Sequence, residues 1–404
     1  MGTLAWIAVI SLGVWLWLLL GQGFFWRTDQ RLPRCDAAPG AYDDWPTVVI
    51  VVPARDEAAV LPESLPSLLR QAYPGEAEVI LVDDGSTDGT GALAHELAAR
   101  YGGLPLTVAS PGEPEAGWTG KLWALRHGIA LARARDPEYL LLTDADIAHE
   151  PDSLTVLIAA ARTHGIDLVS QMARLRVATL WERLVVPAFV YFFAQLYPFR
   201  WINRAAPGRR ALATAAAGGC VLLRTATAVR AGIPGSVRQS VIDDVAVARA
   251  VRRAGGRVWL GLADRVDSIR PYPRLADLWR MVSRSAYAQL RHSPLLLAGT
   301  VAGLAVVYLV PPVAVFAGVY GVGGDEAGAV VAVWAGLAAW VVMAGTYVPM
   351  LRYYRQTVWL APLLPVTALL YLLMTVDSAV RHYRGHGAAW KGRTYARPEA
   401  APDR

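Results

Sequence analysis

Cysteine is almost missing from this chain: Cys35 and Cys220 are the only two among 404 residues. That excludes a Cys-x-x-Cys metal site and a disulfide framework, and it suits a domain held in a reducing compartment. No Lys or Arg precedes the first apolar run, residues 4–25, and no small-x-small cleavage site follows it, so the run reads as an anchor and not as a removable signal peptide. The Gly-x4-Gly-Lys-Ser/Thr spacing of a Walker loop is absent, and no Gly-x-Gly-x-x-Gly follows the first expected strand. Internal repeats are also lacking. Low complexity is confined to an Ala/Arg bias and to a short Pro-rich tail at 397–404, expected to be disordered.

What the chain has in excess is apolar length. Hydrophobic residues make up 54% of it and the mean hydropathy is +0.32, high for a soluble protein. Residues 4–25 carry no charge over 22 positions, enough to span a bilayer, and 295–319, 330–351 and 358–376 are three further candidates. Arg27, Arg31 and Arg34 flank the first run, and the Gly323-Gly-Asp-Glu-Ala327 connection has no cation, which predicts a cytoplasmic central domain with that connection outside. Arg352 and Arg355 place the following loop inside. A fourth span would then export the basic tail with Arg381, Arg384, Lys391 and Arg393, whereas a re-entrant course, which Pro362 and Pro365 permit, would keep it inside; both courses are open. The resulting division is an anchor at 1–26, a central domain at 45–270, an amphipathic segment at 274–292, membrane or re-entrant segments at 295–378, and a basic cytosolic tail at 379–404. The net charge of +6 and pI of about 9.4 come largely from cations near the membrane segments, which points to anionic lipid and away from nucleic acid.

Between the apolar segments, strand and helix alternate. Thr47-Val-Val-Ile-Val-Val52, Glu78-Val-Ile-Leu-Val82 and Tyr139-Leu-Leu-Leu-Thr143 are runs suited to strands buried on both faces, and residues 58–71, 91–101 and 122–133 have helical apolar spacing. Alternation predicts an α/β fold with a mostly parallel sheet whose ligands bind at the carboxyl ends of the strands. Acidic loops stand at those ends: Pro53-Ala-Arg-Asp-Glu57, Asp83-Asp-Gly-Ser-Thr-Asp88 and Asp144-Ala-Asp146, with Asp243-Asp244 further on.

A nucleotide-sugar diphosphate would be repelled by carboxylates alone unless a divalent cation stood between them. Asp144 and Asp146, one residue apart at a strand end, project to the same side, and oxygen-only ligands suit Mg²⁺ or Mn²⁺. Asp56, Glu57, Asp83 and Asp84 are too many to be metal ligands; some suit hydrogen bonds from a base N–H or ribose hydroxyls. The Asp83–Asp88 loop is equally readable as a turn that caps the next helix, and Asp83 facing the ligand while Asp88 caps would satisfy both. Lys121, in Gly117-Trp-Thr-Gly-Lys121, starts a helix where cation and helix N-terminus meet phosphate, or else is a solvated cation.

This ordered set, together with Gly218-Gly219, resembles the family 2 inverting glycosyltransferases of the GT-A fold (Rossmann-like, mostly parallel sheet) over about residues 47–266. The resemblance implies that Asp56 and Asp83 bind the nucleoside, that Asp144 and Asp146 are the metal motif, and that Asp244 is the base; Pro53, Arg55, Glu57, Asp84, Lys121 and Asp144 complete the donor-site candidates. Asp243 stands where the family often has Glu. The Gln-x-x-Arg-Trp of processive members is missing; the corresponding region reads Leu278-Trp-Arg-Met-Val-Ser-Arg284, which argues against a polymer synthase. The Gly117–Trp123 loop and Leu278-Trp-Arg-Met281 are similar to the hopene-associated glycosyltransferases, and Trp390-Lys-Gly-Arg-x-Tyr395 resembles lipid glycosyltransferases related to ceramide glucosyltransferase.

The implied partners are a UDP-sugar or other nucleotide-sugar donor, a lipid acceptor such as a hopanoid, and the membrane, with no nucleic acid. Residues 184–199, apolar and broken by Pro187, suit an interfacial segment or a buried core helix. Residues 275–290 set an apolar stripe against Arg280, Arg284 and Arg291, as an amphipathic helix on the inner leaflet would. Gly218, Gly219, Asp243, Trp279, Arg280 and Arg284 are the acceptor-side candidates. Other classes fit less well: a transporter would carry polar residues inside its spans, and a binding-only pseudoenzyme would lack the metal motif or base. A polyprenyl-phosphate glycosyltransferase, whose acceptor is already an anion, is the main rival within the enzymes.

Overall fold

A computed structural model describes residues 2–32, 44–206, 208, 211–240, 242–321, 326–384, 389–390 and 393–394. Arg34, Cys35, residues 323–325 of the acidic connection, Lys391, Tyr395 and the 397–404 tail lie outside the described residues. The chain forms two compact units. One comprises Met1–Asp29, Val177–Arg200 and Tyr272–His386, the other Gln30–Arg176, Trp201–Pro271 and Gly387–Arg404.

The second unit holds an eight-stranded sheet. Its strands are β1 (Val48–Ala54), β2 (Ala77–Asp83), β3 (Leu106–Ala109), β4 (Tyr139–Thr143), β5 (Ile147–His149), β6 (Leu168–Leu175), β7 (Cys220–Arg224) and β8 (Val258–Ser268), in the order β3-β2-β1-β4-β7-β6-β8-β5. The β3-β2-β1-β4 half is parallel, as the alternation predicts. The other half adds antiparallel pairings at β4–β7, β6–β7 and β5–β8, with β6 and β8 parallel. All seven residues of β1 and all five of β4 are buried, the continuous apolar runs being sandwiched between helices on both faces.

The helix Gly120–Arg133 shows why the packing fixes the sheet edge. A Cβ at Gly128 would lie 2.5 Å from Val51 Cγ1 and 2.9 Å from Val82 Cγ2, so the helix backbone rests directly on β1 and β2. Gly128→Ala is therefore expected to destabilise the fold by roughly 1–3 kcal/mol through overpacking, read as a lowered Tm of the detergent-purified protein. An unchanged Tm would show that the helix can move off the sheet.

Among the described residues the first unit contains four helical segments long and apolar enough to cross a membrane: Thr3–Leu20, Pro294–Val319, Glu326–Tyr353 and Val358–Tyr383. Helical geometry pairs most backbone groups within a segment, as a bilayer interior demands. The second segment passes through a π-helical turn at Ala305–Leu309. The last starts as a 3₁₀ turn, Val358–Leu363, and continues as the helix Leu364–Tyr383.

Residues 184–199 fall mostly within the helix Leu180–Leu196, which begins with a capping box of Thr179 and Glu182. Val185, Val186, Tyr191 and Ala194 are buried while Leu180 and Leu196 are exposed. Tyr191 Oη bonds Thr346 Oγ1 at 2.8 Å, and Tyr371 Oη donates to the Val185 carbonyl at 3.2 Å, so one face packs as a core helix within this unit.

The single amphipathic helix expected over 275–290 is two helices, Leu275–Ser283 and Ala286–Gln289. The break follows from Tyr287, whose buried N–H leaves the helical ladder and donates to Ser378 Oγ at 3.0 Å. Leu278, Val282 and Tyr287 on the apolar side are buried against protein.

Candidate active site

The ends of β1, β2 and β4, the Gly218-Gly219 turn before β7 and the start of the helix Asp243–Arg253 supply the site. Three groups of side chains form there, all in the sheet-bearing unit.

The first group is centred on Lys121, whose Nζ lies 2.8 Å from Asp144 Oδ1 and 3.1 Å from Asp243 Oδ2. Burial opposes the charge of this lysine, but Asp144 and Asp243 outweigh it and hold the ammonium above its ordinary pKa. Lys121 is thus an engaged internal cation and not a freely solvated one. Asp244 Oδ2 accepts the Gly218 N–H at 2.9 Å, and its Oδ1 accepts the Val245 N–H at 2.7 Å. The Gly218 backbone lies alongside both groups: a Cβ there would be in ordinary contact, at 3.5 Å from Asp244 and 3.6 Å from Lys121 Nζ. Burial and the adjacent Asp243 push the Asp244 carboxyl up to about 7, against the lowering pull of Lys121 and the two N–H donors. A proton acceptor tuned near neutrality is what general-base chemistry requires. The sign of the pH dependence follows: as a base, Asp244 would act only when ionised, so kcat/KM should fall about tenfold per pH unit below about pH 7 and level off above it. A flat profile from pH 5 to about 8 would remove Asp244 from the proton transfer.

The second group joins Asp146 and Glu57 through Arg270. Arg270 Nε donates to Asp146 Oδ2 at 2.7 Å and its Nη2 to Glu57 Oε2 at 2.6 Å. Sequence reasoning missed Arg270, which lies 124 and 213 positions from its two partners. The only local signal is its place just beyond the long strand β8.

In the third group, the loops after β1 and β2 are stitched together. Asp56, in the left-handed region at φ 50°, accepts the Thr87 N–H at 2.8 Å, while its own N–H donates to Ser86 Oγ at 3.0 Å. Asp83 Oδ1 accepts the Ser86 N–H at 2.9 Å, and Asp88 Oδ1 takes the Thr90 N–H at 3.0 Å in the first turn of the next helix. Asp56 and Asp83 both stay partly exposed. Asp84 turns into the core: its side chain is fully buried, with Arg55 Nη1 at 3.7 Å from Oδ2 and donating to the Asp84 carbonyl. Pro53 is a buried residue of β1.

Gly219 takes the Thr143 hydroxyl on its carbonyl at 2.8 Å, tying the glycine turn to the end of β4. Trp279, Arg280 and Arg284 fall in the other unit. There Trp279 Nε1 donates to Asp377 Oδ2 at 2.8 Å, Arg280 pairs with Asp277, and Arg284 is exposed.

Asp144 and Asp146 offer an all-oxygen set, and each already holds an organic cation, which shows that positive charge is accommodated on both. Among the described residues no group of three or more His, Cys, Asp or Glu side chains forms a ready metal cage. The fit is therefore to a cation such as Mg²⁺ or Mn²⁺ that takes one or two carboxylates and completes its shell with phosphate oxygens and water.

Comparison with known proteins agrees with this architecture. Residues 49–204 match the family model for glycosyl transferase family 2. The fold is GT-A: a mannosyltransferase from Pyrobaculum calidifontis, solved with GDP-Man and Mn²⁺, superposes with a TM-score of 0.56 at 19% identity, covering 93% of this chain and 99% of that one. The undecaprenyl-phosphate mannosyltransferase of Micrococcus luteus is 34% identical over 126 residues, 31% of this chain and 48% of that protein. The beta-monoglucosyldiacylglycerol synthase of Synechocystis sp. is 27% identical over 196 residues, 44% of this chain and 39% of that protein. The chain thus spans about half or less of the length of these curated relatives.

Proposed function

We propose that this protein is a multi-pass membrane glycosyltransferase that moves a sugar, with inversion, from a nucleotide-diphosphate sugar to a lipid hydroxyl. The observation that carries the reading is the meeting of Lys121 with Asp144 and Asp243 beside Asp244, held by the Gly218 N–H. On this reading Lys121 is the cation for the phosphates, Asp144 an acid for the metal, and Asp244, whose carboxyl is pushed up to about 7, the base.

In the reaction, Asp244 takes the proton of the acceptor hydroxyl, the hydroxyl oxygen bonds to the anomeric carbon, and the bond from that carbon to the diphosphate breaks. Asp144 and Asp146 would hold a divalent cation, which when bound supplies Lewis-acid neutralisation of the departing diphosphate. Lys121 contributes a further fixed charge next to it, and Asp56 and Asp83 orient the nucleoside.

A lipid acceptor is supported by the four membrane-length helices and by relatives named for a polyprenyl phosphate and for a diacylglycerol. Within that class we favour a UDP-sugar donor, a hopanoid-like acceptor and a cytoplasmic sheet-bearing unit. A polyprenyl-phosphate acceptor is the second reading, favoured by the mannosyltransferase relative.

Donor calorimetry tests the site. UDP- or GDP-sugars should bind with Mn²⁺ present and lose most of that affinity in EDTA. Equal affinity in both conditions would contradict the metal role, and no binding of any nucleotide sugar would leave a non-catalytic protein of the same fold.

A further inference from the structure

We propose that Arg270 is a resident counter-cation of the donor site, which occupies Asp146 until a divalent cation and a diphosphate arrive together. This rests on the function proposed above and extends it to a residue outside the acidic motifs.

One guanidinium spans two acids from different loops. Its Nε reaches Asp146 at 2.7 Å and its Nη2 reaches Glu57 at 2.6 Å. The side chains of Asp146 and Glu57 are only 14% and 8% exposed, so without a cation between them two poorly solvated negative charges would face each other. Arg suits the bridge because its planar fork presents two N–H directions at once.

Arg270 Nε takes Asp146 Oδ2, so a divalent cation on the same carboxylate would stand close to the guanidinium and be repelled by it. A metal arriving alone therefore binds against that charge, or pushes Arg270 from Asp146 with no new anion to receive it. A diphosphate changes the balance, because it brings two negative charges that can receive the released guanidinium. The backbone is anchored for such a swing. Ile269 N–H donates to the Asp146 carbonyl at 3.0 Å and Pro271 follows, while the Arg270 side chain is 26% exposed. Arg270 thereby makes metal and donor binding cooperative, a coupling that is reciprocal between the two ligands.

The test is Mn²⁺ titration by electron paramagnetic resonance on the full-length, detergent-purified protein, without nucleotide and with UDP or GDP. In the native protein, nucleotide should tighten Mn²⁺ binding by roughly 5-fold or more. Arg270→Gln should bind Mn²⁺ alone roughly 5-fold or more tighter than the native protein, and nucleotide should add less. Arg270→Lys keeps one charge but not the two-armed bridge, so it should fall between; it decides the matter if the Gln variant does not fold. A merely structural arginine predicts the opposite sign, and Mn²⁺ affinity that is unchanged or weaker in both variants overturns the proposal. Failure of the function reading looks different: neither nucleotide would alter Mn²⁺ binding even in the native protein, and the inference would fall with it.

Discussion

Asp244→Asn is expected to lower kcat by roughly 10²–10⁴-fold while leaving donor affinity nearly unchanged. The asymmetry follows from where the carboxylate sits. Asp244 is fixed by the N–H groups of Gly218 and Val245 at the start of the helix Asp243–Arg253, beside Lys121 but bonded to neither metal-motif acid. Asparagine keeps the shape but carries no basic oxygen, and its NH2 faces one of the two N–H groups that the carboxylate accepted. The acceptor hydroxyl then attacks without a base, whereas Lys121 still meets Asp144 and the donor pocket is intact. Single-turnover transfer and donor calorimetry on one preparation read both quantities. Lost donor binding with normal chemistry on the remaining complex would assign Asp244 to the donor instead.

Asp146→Ala should do the reverse. Metal-dependent donor binding weakens, and kcat/KM falls by roughly 10²-fold or more, because the diphosphate loses a carboxylate-held counter-charge as it departs. The effect has a second source. Truncating Asp146 also removes one arm of the Arg270 bridge, while the arm to Glu57 remains. Excess Mn²⁺ should partly restore the rate at low donor, since the lost contact is a binding contact. If Asp146→Ala leaves metal-dependent donor affinity intact, the Asp-x-Asp assignment is wrong.

Three strands of the parallel half, β1, β2 and β4, were legible because each carries a continuous apolar run with an acidic loop after it, whereas the short, half-buried β3 was not. The antiparallel half was not. β6 contains Ser170 and Gln171, both buried, which break the apolar pattern. Ser170 is satisfied by the backbone of Ala217, its Oγ donating to the carbonyl at 3.0 Å and accepting the N–H at 2.8 Å. No local spacing reveals such a partner. The same holds at 275–290, where the periodicity suits one helix and a distant serine hydroxyl, that of Ser378, draws the chain out of it.

For the candidate site, the position of the acids at the strand ends was legible in the sequence, but their pairings were not. Asp84 looks like its neighbour Asp83 in the sequence and instead turns inward to Arg55. Arg270 has no motif of its own; only the fold brings it to Asp146 and Glu57.

The measurement that tests the central claim most directly is a mass-spectrometric transfer assay on the detergent-purified protein. It offers UDP- and GDP-sugars with hopanoid, diacylglycerol and polyprenyl-phosphate acceptors, in Mg²⁺ or Mn²⁺ and in EDTA. The account predicts a sugar-sized mass gain on a hydroxyl-bearing lipid, present with metal and absent in EDTA. A gain confined to the polyprenyl phosphate would select the second reading, and no gain on any lipid despite metal-dependent donor binding would contradict lipid glycosylation by this protein.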